Sequence, residues 1–478
     1  MVYRGPSRGC NSCRQRRKKC DETRPSCQNC TRAGRTCGGY EIGAASAYKL
    51  AEAQRPDLSI ARKCTLPPRV RIPGTDRFPD DVVPAETSEE ESNTLSMRAF
   101  LYDFCLVSTN RDLSKGYLSS LETVIRQSGG GHSCLAKACA TISFATHGKP
   151  LNRPSLVKKA RIFCDELVSS MREGICNPSK TNTAYFKMLV MLMGVYEIVV
   201  AGDHDLDNDL HFIHSHVTGL AGLMNVDRSP LKLLHKYRQH LSITALGKDN
   251  DSLTSLLFDF DKVKRKFATI ASPEGMTAMT DECLALDRRF AAWQATRPRE
   301  FRPTEVGKMG HRDRAQPTVG YWPGNIDTYF DLSVAGLWNI FRATRLQLLS
   351  QITQLSENLG EDPSVHVHAA ICAVDSMVAS IPYHLTEDLH TFVSESASNT
   401  EIRTAGPFLG GLLLLHPLYY ASQMPFLSAE MRGYLRDCIL WIGSRMGIGQ
   451  ATVLAEAPEV DNDYLDSACF IVWSGFLW

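Results

Sequence analysis

Residues 10–37 read CNSCRQRRKKCDETRPSCQNCTRAGRTC, and six of these 28 residues are cysteine. Cys10, Cys13 and Cys20 recur 17 positions later as Cys27, Cys30 and Cys37, so each half reads C-x2-C-x6-C. Three thiolates cannot close a tetrahedral zinc site, whereas two ions sharing a pair of bridging sulfurs need only six cysteines for four-coordination at each metal. The first cysteine of each half, Cys10 and Cys27, is the symmetric choice of bridge. Each ion is then ringed by sulfurs at about 2.3 Å, a closed and structural geometry with no open catalytic position.

Rival readings of the six thiols are weaker. Three disulfides would need an oxidising compartment, yet the opening Met1 to Pro6 has no apolar export segment. The other ten cysteines, from Cys64 and Cys105 onward, follow no spacing, as expected of reduced core thiols. Iron–sulfur ligation uses other spacings. Two separate four-cysteine sites would have to recruit Cys64 across a proline-containing stretch.

Charge is not duplicated with the metal pattern. Arg14, Arg16, Arg17, Lys18 and Lys19 crowd the six residues between Cys13 and Cys20, while the matching stretch holds only Arg32 and Arg35. A helical turn leaving Cys13 would project Arg16, Arg17 and Lys18 from the metal core toward an anionic partner. Arg and Lys read guanine O6 and N7 in the major groove, and further cations grip phosphates. A solvated face or a bare import signal is the commoner fate of a basic run, but fusion to a rigid cluster favours the DNA reading. Residues 1–40 carry 10 Lys/Arg against 2 Asp/Glu, a formal +8, and the remainder carries 43 against 50, or −7. Two zinc ions on six thiolates bring the module to about +6. The overall charge of +1 thus hides a basic reader on an acidic body.

The segment resembles the DNA-binding domain of the fungal binuclear zinc cluster transcription factors, in full cysteine register over about forty residues. That resemblance implies two zinc ions, bridging by Cys10 and Cys27, and base contacts from Arg16 and Arg17, usually to a CGG triplet. It makes Lys18 and Lys19 the rest of the basic helix and Pro25 the turn between the halves. Arg4 and Arg8 are candidate phosphate contacts or part of a free tail.

Residues 41–95 read as a disordered linker, punctuated by Pro56, Pro67, Pro68, Pro73, Pro79 and Pro84 and carrying the acidic run Ser88-Glu89-Glu90-Glu91-Ser92. The only heptad-like stretch, 44–54, is too short for a coiled coil, which leaves a homodimer open. From 96 onward apolar residues recur at helical spacing, over 97–107, 136–145, 156–171, 253–270, 327–352, 365–381, 408–423 and 431–446, and 185–200 is apolar nearly all round. Leu409 to Leu415 is too short to cross a bilayer. This body resembles the middle regulatory region of the same family, on the pieces His216-Val217-Thr218-Gly219-Leu220, Trp338-Asn339-Ile340-Phe341-Arg342, Pro417-Leu418 and Met446-Gly447-Ile448-Gly449-Gln450-Ala451.

No catalytic constellation emerges. His211, His214, His216, His366 and His368 lack an accompanying carboxylate motif. Gly129-Gly130-Gly131 and Gly148-Lys149 both break the phosphate-loop pattern, and no nucleophile elbow is present. The last segment mixes Asp461, Asp463 and Asp466 with Tyr464, Phe470, Trp473, Phe476 and Trp478. It reads as an acidic-aromatic activation segment or, preferably, as a final helix burying Phe470, Ile471, Trp473 and Leu477.

The expected fold is therefore a small binuclear zinc-cluster module of two short helices with loops (1–40), the linker (41–95) and a large all-α regulatory domain (96–478). The expected function is a nuclear, zinc-dependent transcription factor for RNA polymerase II genes, reading CGG-type half-sites and governing a metabolic or biosynthetic gene set. Its partners would be double-stranded DNA and coregulators or the transcription machinery, with no membrane and no enzymatic activity. The alternative is a ligand sensor or protein-interaction scaffold that the zinc module only targets.

Overall fold

The computed structural model describes residues 10, 12–13, 16, 18–23, 27–35, 37, 88–175, 184–202, 216, 218, 252–270, 272–310, 318–396, 401–457 and 460–477. They fall into two compact units, one within residues 1–73 and one within 74–478.

In the first unit Ser12 and Cys13 are helical, and α1 spans Gln28–Arg32. The two halves repeat each other in their backbone bonds. Lys18 N–H donates to Cys13 O at 3.0 Å, and 17 residues later Arg35 N–H donates to Cys30 O at 3.0 Å. In the second half this closure passes through Gly34 at φ +63°, the left-handed residue that ends a helix.

The second unit opens with α2 (Glu89–Phe104), whose start is a correction to the linker boundary. Ser88 Oγ caps it by accepting the Glu91 N–H at 3.1 Å, and Glu89, Glu90 and Glu91 fill its first turn. An acidic run after a serine suits the positive end of a helix, so these residues belong to the body. Next come α3 (Leu121–Gln127), α4 (Cys134–Gly148), α5 (Pro154–Ile175), α6 (Ala184–Val200), α7 (Leu253–Phe267) and α8 (Pro273–Ala295). Periodicity missed α8, although Ser272 and Pro273 mark its start as N-cap and first-turn proline.

A two-stranded antiparallel hairpin follows, β1 (Thr304–Met309) and β2 (Gly324–Thr328), with an irregularity between Glu305 and Gly307. It interrupts the expected all-helical body and truncates the helix expected from 327. Asp331 instead caps α9 (Leu332–Leu359), accepting the Val334 N–H at 2.8 Å. The chain closes with α10 (Ser364–Leu385), α11 (Leu389–Glu395), α12 (Phe408–Ser422), α13 (Ala429–Met446), α14 (Gly449–Glu456) and α15 (Asn462–Ser474).

One core unites this unit, from Phe100 to Phe476. α9 and α12 lie at its centre: α9 packs on α7, α8, α10 and α12, and α12 also meets α2, α13, α14 and α15. α12 is buried along nearly its whole length, so the apolar run Leu409 to Leu415, too short to cross a bilayer, is a core helix. α10 is long and apolar enough to span a bilayer, but Val374, Met377, Ile381 and Leu385 are fully buried against the core. The tail is a docked helix. Tyr117 OH donates to Val472 O at 2.7 Å, and Gly194 of α6 is bare because a Cβ there would meet Ile471 at 2.7 Å. Phe470 and Ile471 are buried and Trp473 is half-buried, while the side chain of Leu477 lies outside the described residues.

The Trp338–Arg342 stretch owes its character to this packing. Trp338 and Phe341 join Trp293 and Phe301 in one aromatic cluster, and Trp338 Nε1 donates to Phe301 O at 2.7 Å. On the other side Arg342 Nη1 donates to Asn339 Oδ1 at 2.8 Å and Tyr329 OH at 2.9 Å. Asn339 Nδ2 reaches Ser380 Oγ at 2.9 Å and His384 Nε2 at 3.1 Å, and His384 Nδ1 faces Gly410 O at 3.1 Å. Burying polar groups demands such mutual satisfaction. Gly410 is required because a Cβ there would lie 1.9 Å from His384 O.

Candidate metal centre and nucleic-acid interface

The six cysteines converge. Two sets of four sulfurs, Cys10, Cys13, Cys20, Cys27 and Cys10, Cys27, Cys30, Cys37, each lie within 4.8 Å of one another. Cys10 and Cys27 are common to both sets and fully buried. Their sulfurs stand 3.6 Å apart, with Cys13 to Cys27 at 3.7 Å and Cys10 to Cys30 at 3.8 Å. A tetrahedron with zinc–sulfur bonds of about 2.3 Å has edges of about 3.8 Å, so these spacings fit one metal inside each set.

Backbone amides prepare the sulfurs for charge. Cys13 N–H points at Cys10 Sγ (3.4 Å) and Cys30 N–H at Cys27 Sγ (3.3 Å). Cys10 N–H points at Cys20 Sγ (3.4 Å) and Cys27 N–H at Cys37 Sγ (3.5 Å), the same bonds shifted by one repeat. Burial pushes the Cys10 and Cys27 thiols up in pKa, and Cys13 rises through its contact with Cys10 and then through burial. Crowded, desolvated sulfurs ionise together only around a cation, which zinc supplies.

Sequence reasoning missed a second feature of the module. Asp21, read there only as one of two acids in the charge count, accepts the Gln28 N–H at 3.1 Å and the Asn29 N–H at 2.8 Å. These are otherwise unpaired donors at the start of α1, whose own first turn has no acid. Thr23 Oγ1 donates to the same carboxylate at 2.6 Å, and these bonds hold its pKa well below the usual carboxylate range. The only local signal was an acid directly after a cysteine, too little to assign.

Of the sequence-selected cations, Arg16, Lys18 and Lys19 are exposed on the connection from Cys13 to Cys20, and Arg32 and Arg35 are exposed at and beyond the end of α1. Arg14 and Arg17 lie outside the described residues, as do Arg4, Arg8, Pro25, His211, His214, Val217, Gly219 and Leu220. Elsewhere, His216 Nε2 lies 3.7 Å from Glu197 Oε1, and His368 Nε2 lies 3.7 Å from Cys372 Sγ on an exposed helix face. Among the described residues, groups of three or more metal-type donors occur at the six cysteines alone.

Residues 8–44 match the fungal Zn(2)-Cys(6) binuclear cluster domain. Over 425 residues, 84% of this chain and 100% of the relative, the sequence is 37% identical to transcription factor dbaG of Emericella nidulans. The chain belongs to the fungal Zn(2)-Cys(6) transcription factors. Two further relatives match this Zn(2)-Cys(6) factor over short stretches. The transcriptional regulatory protein moc3 of Schizosaccharomyces pombe is 48% identical over 52 residues, 11% of this chain and 10% of moc3. White-opaque regulator 2 of Candida albicans is 46% identical over 41 residues, 9% of each chain. No solved structure matches the chain. As a member of this family the Zn(2)-Cys(6) factor binds two zinc ions and DNA, and acts as a non-enzymatic regulator of transcription.

Proposed function

We propose that this factor is a nuclear, sequence-specific regulator of RNA polymerase II genes that reads CGG-type half-sites. In this reading Cys10 and Cys27 bridge two zinc ions, Cys13 and Cys20 complete one site, and Cys30 and Cys37 complete the other. The observation that carries it is the pair of overlapping four-sulfur sets beside a one-sided run of cations. Arg16, Arg17 and Lys18 approach base edges, and Arg14, Lys19, Arg32 and Arg35 hold phosphates, because a turn anchored on metal can enter the major groove without losing its shape. Residues 1–40 are the reader, 41–87 the linker, and the helical body from Ser88 onward receives a regulatory input and contacts coregulators. A metabolic or biosynthetic gene set is the target class that this layout favours.

The test is binding of the purified full chain to CGG-containing duplexes and to scrambled duplexes, with and without a zinc chelator. Tight, sequence-dependent binding that the chelator abolishes is the expected result. Equal affinity for both duplexes, or equal affinity with chelator present, overturns the reading.

A further inference from the structure

A cavity of about 50 Å³ opens among α7, α9, α12 and α15 of the helical body. It is several times larger than the ~10–15 Å³ that admits a single water. We propose that it is a binding site for a small, neutral ring compound carrying a hydroxyl group, and that the occupant braces the C-terminal helix α15. This goes beyond the DNA-reading proposal and does not depend on it.

The walls select the ring. Phe260, Tyr420, Phe470 and Trp473 line the space with flat aromatic surface, on which a planar ring gains stacking and edge contacts as well as burial.

The charges select neutrality. Lys264 Nζ holds both oxygens of Asp466 at 3.1 Å, and Asp261 is bonded to Arg265. An anionic ligand would have to displace Asp466 from Lys264, and a cationic one would have to displace a lysine or an arginine from its carboxylate. Neither exchange gains a new ion pair, so a charged ligand loses its hydration without compensation.

The remaining polar groups select the hydroxyl. The one hydrogen bond of Gln347 runs from Nε2 to Ala343 O at 3.3 Å, which leaves Oε1 without a partner among the described residues. His416, almost fully buried, spends Nε2 on Gln450 Oε1 at 3.1 Å, and among the described residues its second ring nitrogen has no hydrogen-bond partner. Gln450 Nε2 is itself buried without a partner among the described residues, so the imidazole–amide pair is free to take either orientation. A hydroxyl both donates and accepts, and suits either one. A purely apolar ring would leave Gln347 and His416 unserved.

α15 contributes Asp466, Cys469, Phe470 and Trp473 to the site, α7 contributes Phe260 and Lys264, and α9 contributes Gln347. With His416 and Tyr420 of α12, a bound ring therefore joins four helices that are far apart in sequence. It adds its binding energy to the docking of the acidic-aromatic tail.

The experiment uses the zinc-loaded full chain without DNA, and phenol as the probe, with toluene and benzoate as controls. Calorimetry should give phenol a Kd of about 1 mM or below, with toluene and benzoate at least roughly tenfold weaker. Hydrogen exchange with phenol present should slow in α15 and α7, and leave α4 and α5 unchanged. Gln347→Leu, a substitution at a half-buried position that keeps the fold, should weaken phenol several-fold and leave toluene unaffected. Absence of phenol binding, equal binding of all three compounds, or protection that misses α15 each overturns the proposal.

Discussion

Asn29 donates twice across the cysteine module: Asp21 Oδ2 accepts its backbone N–H at 2.8 Å, and Lys19 O accepts its Nδ2 at 3.0 Å. The end of the basic stretch is thus tied to the start of the second helix by contacts that involve no metal. Asp21→Ala should leave both four-sulfur sets in place but free two N–H groups at the start of α1. Zinc transfer to a chromogenic chelator should become several-fold faster, while the melting of the helical body stays constant. Unchanged transfer kinetics would show that this tie is ornamental.

The shared sulfurs make an unequal prediction for the cysteines. Cys27 belongs to both four-sulfur sets and Cys37 to one. Cys37→Ser should therefore retain about one zinc per chain, and Cys27→Ser should lose both, because neither set keeps four thiolates. Elemental analysis of the purified variants reads this directly. Equal zinc content in the two would remove the bridging role from Cys27.

On the proposed reading, the basic run separates base readers from phosphate holders. Arg17→Ala should cost about 1–3 kcal/mol on a CGG duplex and relax selectivity there, as loss of a base contact does. Lys19→Ala should weaken all duplexes alike and reduce the salt dependence by about one ion. Competition binding over a salt series distinguishes the two. A uniform loss with Arg17→Ala would turn it into a phosphate contact.

Two buried histidines set an acid limit on the helical body. Burial holds His384 and His416 down to about 4, from an ordinary 6.5, and both rings stay neutral in the folded state. Between those values the unfolded chain binds protons that the folded chain refuses, so stability rises with pH across the window. Their contribution is complete above about pH 6.5 and is lost as pH falls toward 4, at most about 3 kcal/mol per histidine. Denaturant titration of the full chain, followed by the helical circular dichroism of the body, should show this slope, and His416→Gln should reduce it by about half. A slope that is unchanged in His416→Gln would assign the acid sensitivity to other groups.

The features legible in the chain were those that local pattern dictates. The cysteine repeat announced the metal module because ligand count and spacing follow directly from coordination chemistry. Amphipathic spacing marked α5 and α7, and continuous apolarity marked α6 and α12, since a helix that is apolar all round must be buried. Where several weak signals had to be weighed, local reading failed. The acidic run after Ser88 looked like linker because its charge was judged apart from the cap that explains it. Pro273–Ala295 was passed over although Ser272 and Pro273 announce a helix, because small and charged residues blur its apolar face. The hairpin of β1 and β2 escaped because strands of six and five residues acquire their identity from pairing with each other and, for β2, from packing on α10.

By itself the sequence determined the cluster, since sulfur number, spacing and neighbouring charge are properties of one short segment. Tertiary structure alone decided which polar groups are buried and what they meet: Asp21 under the start of α1, His384 against Asn339 and Gly410, and Lys264 beside Asp466. Lys264 and Asp466 stand 202 positions apart in the chain. Hydrogen bonds and ion pairs act over a few ångströms, and only the packed core brings such partners within that reach.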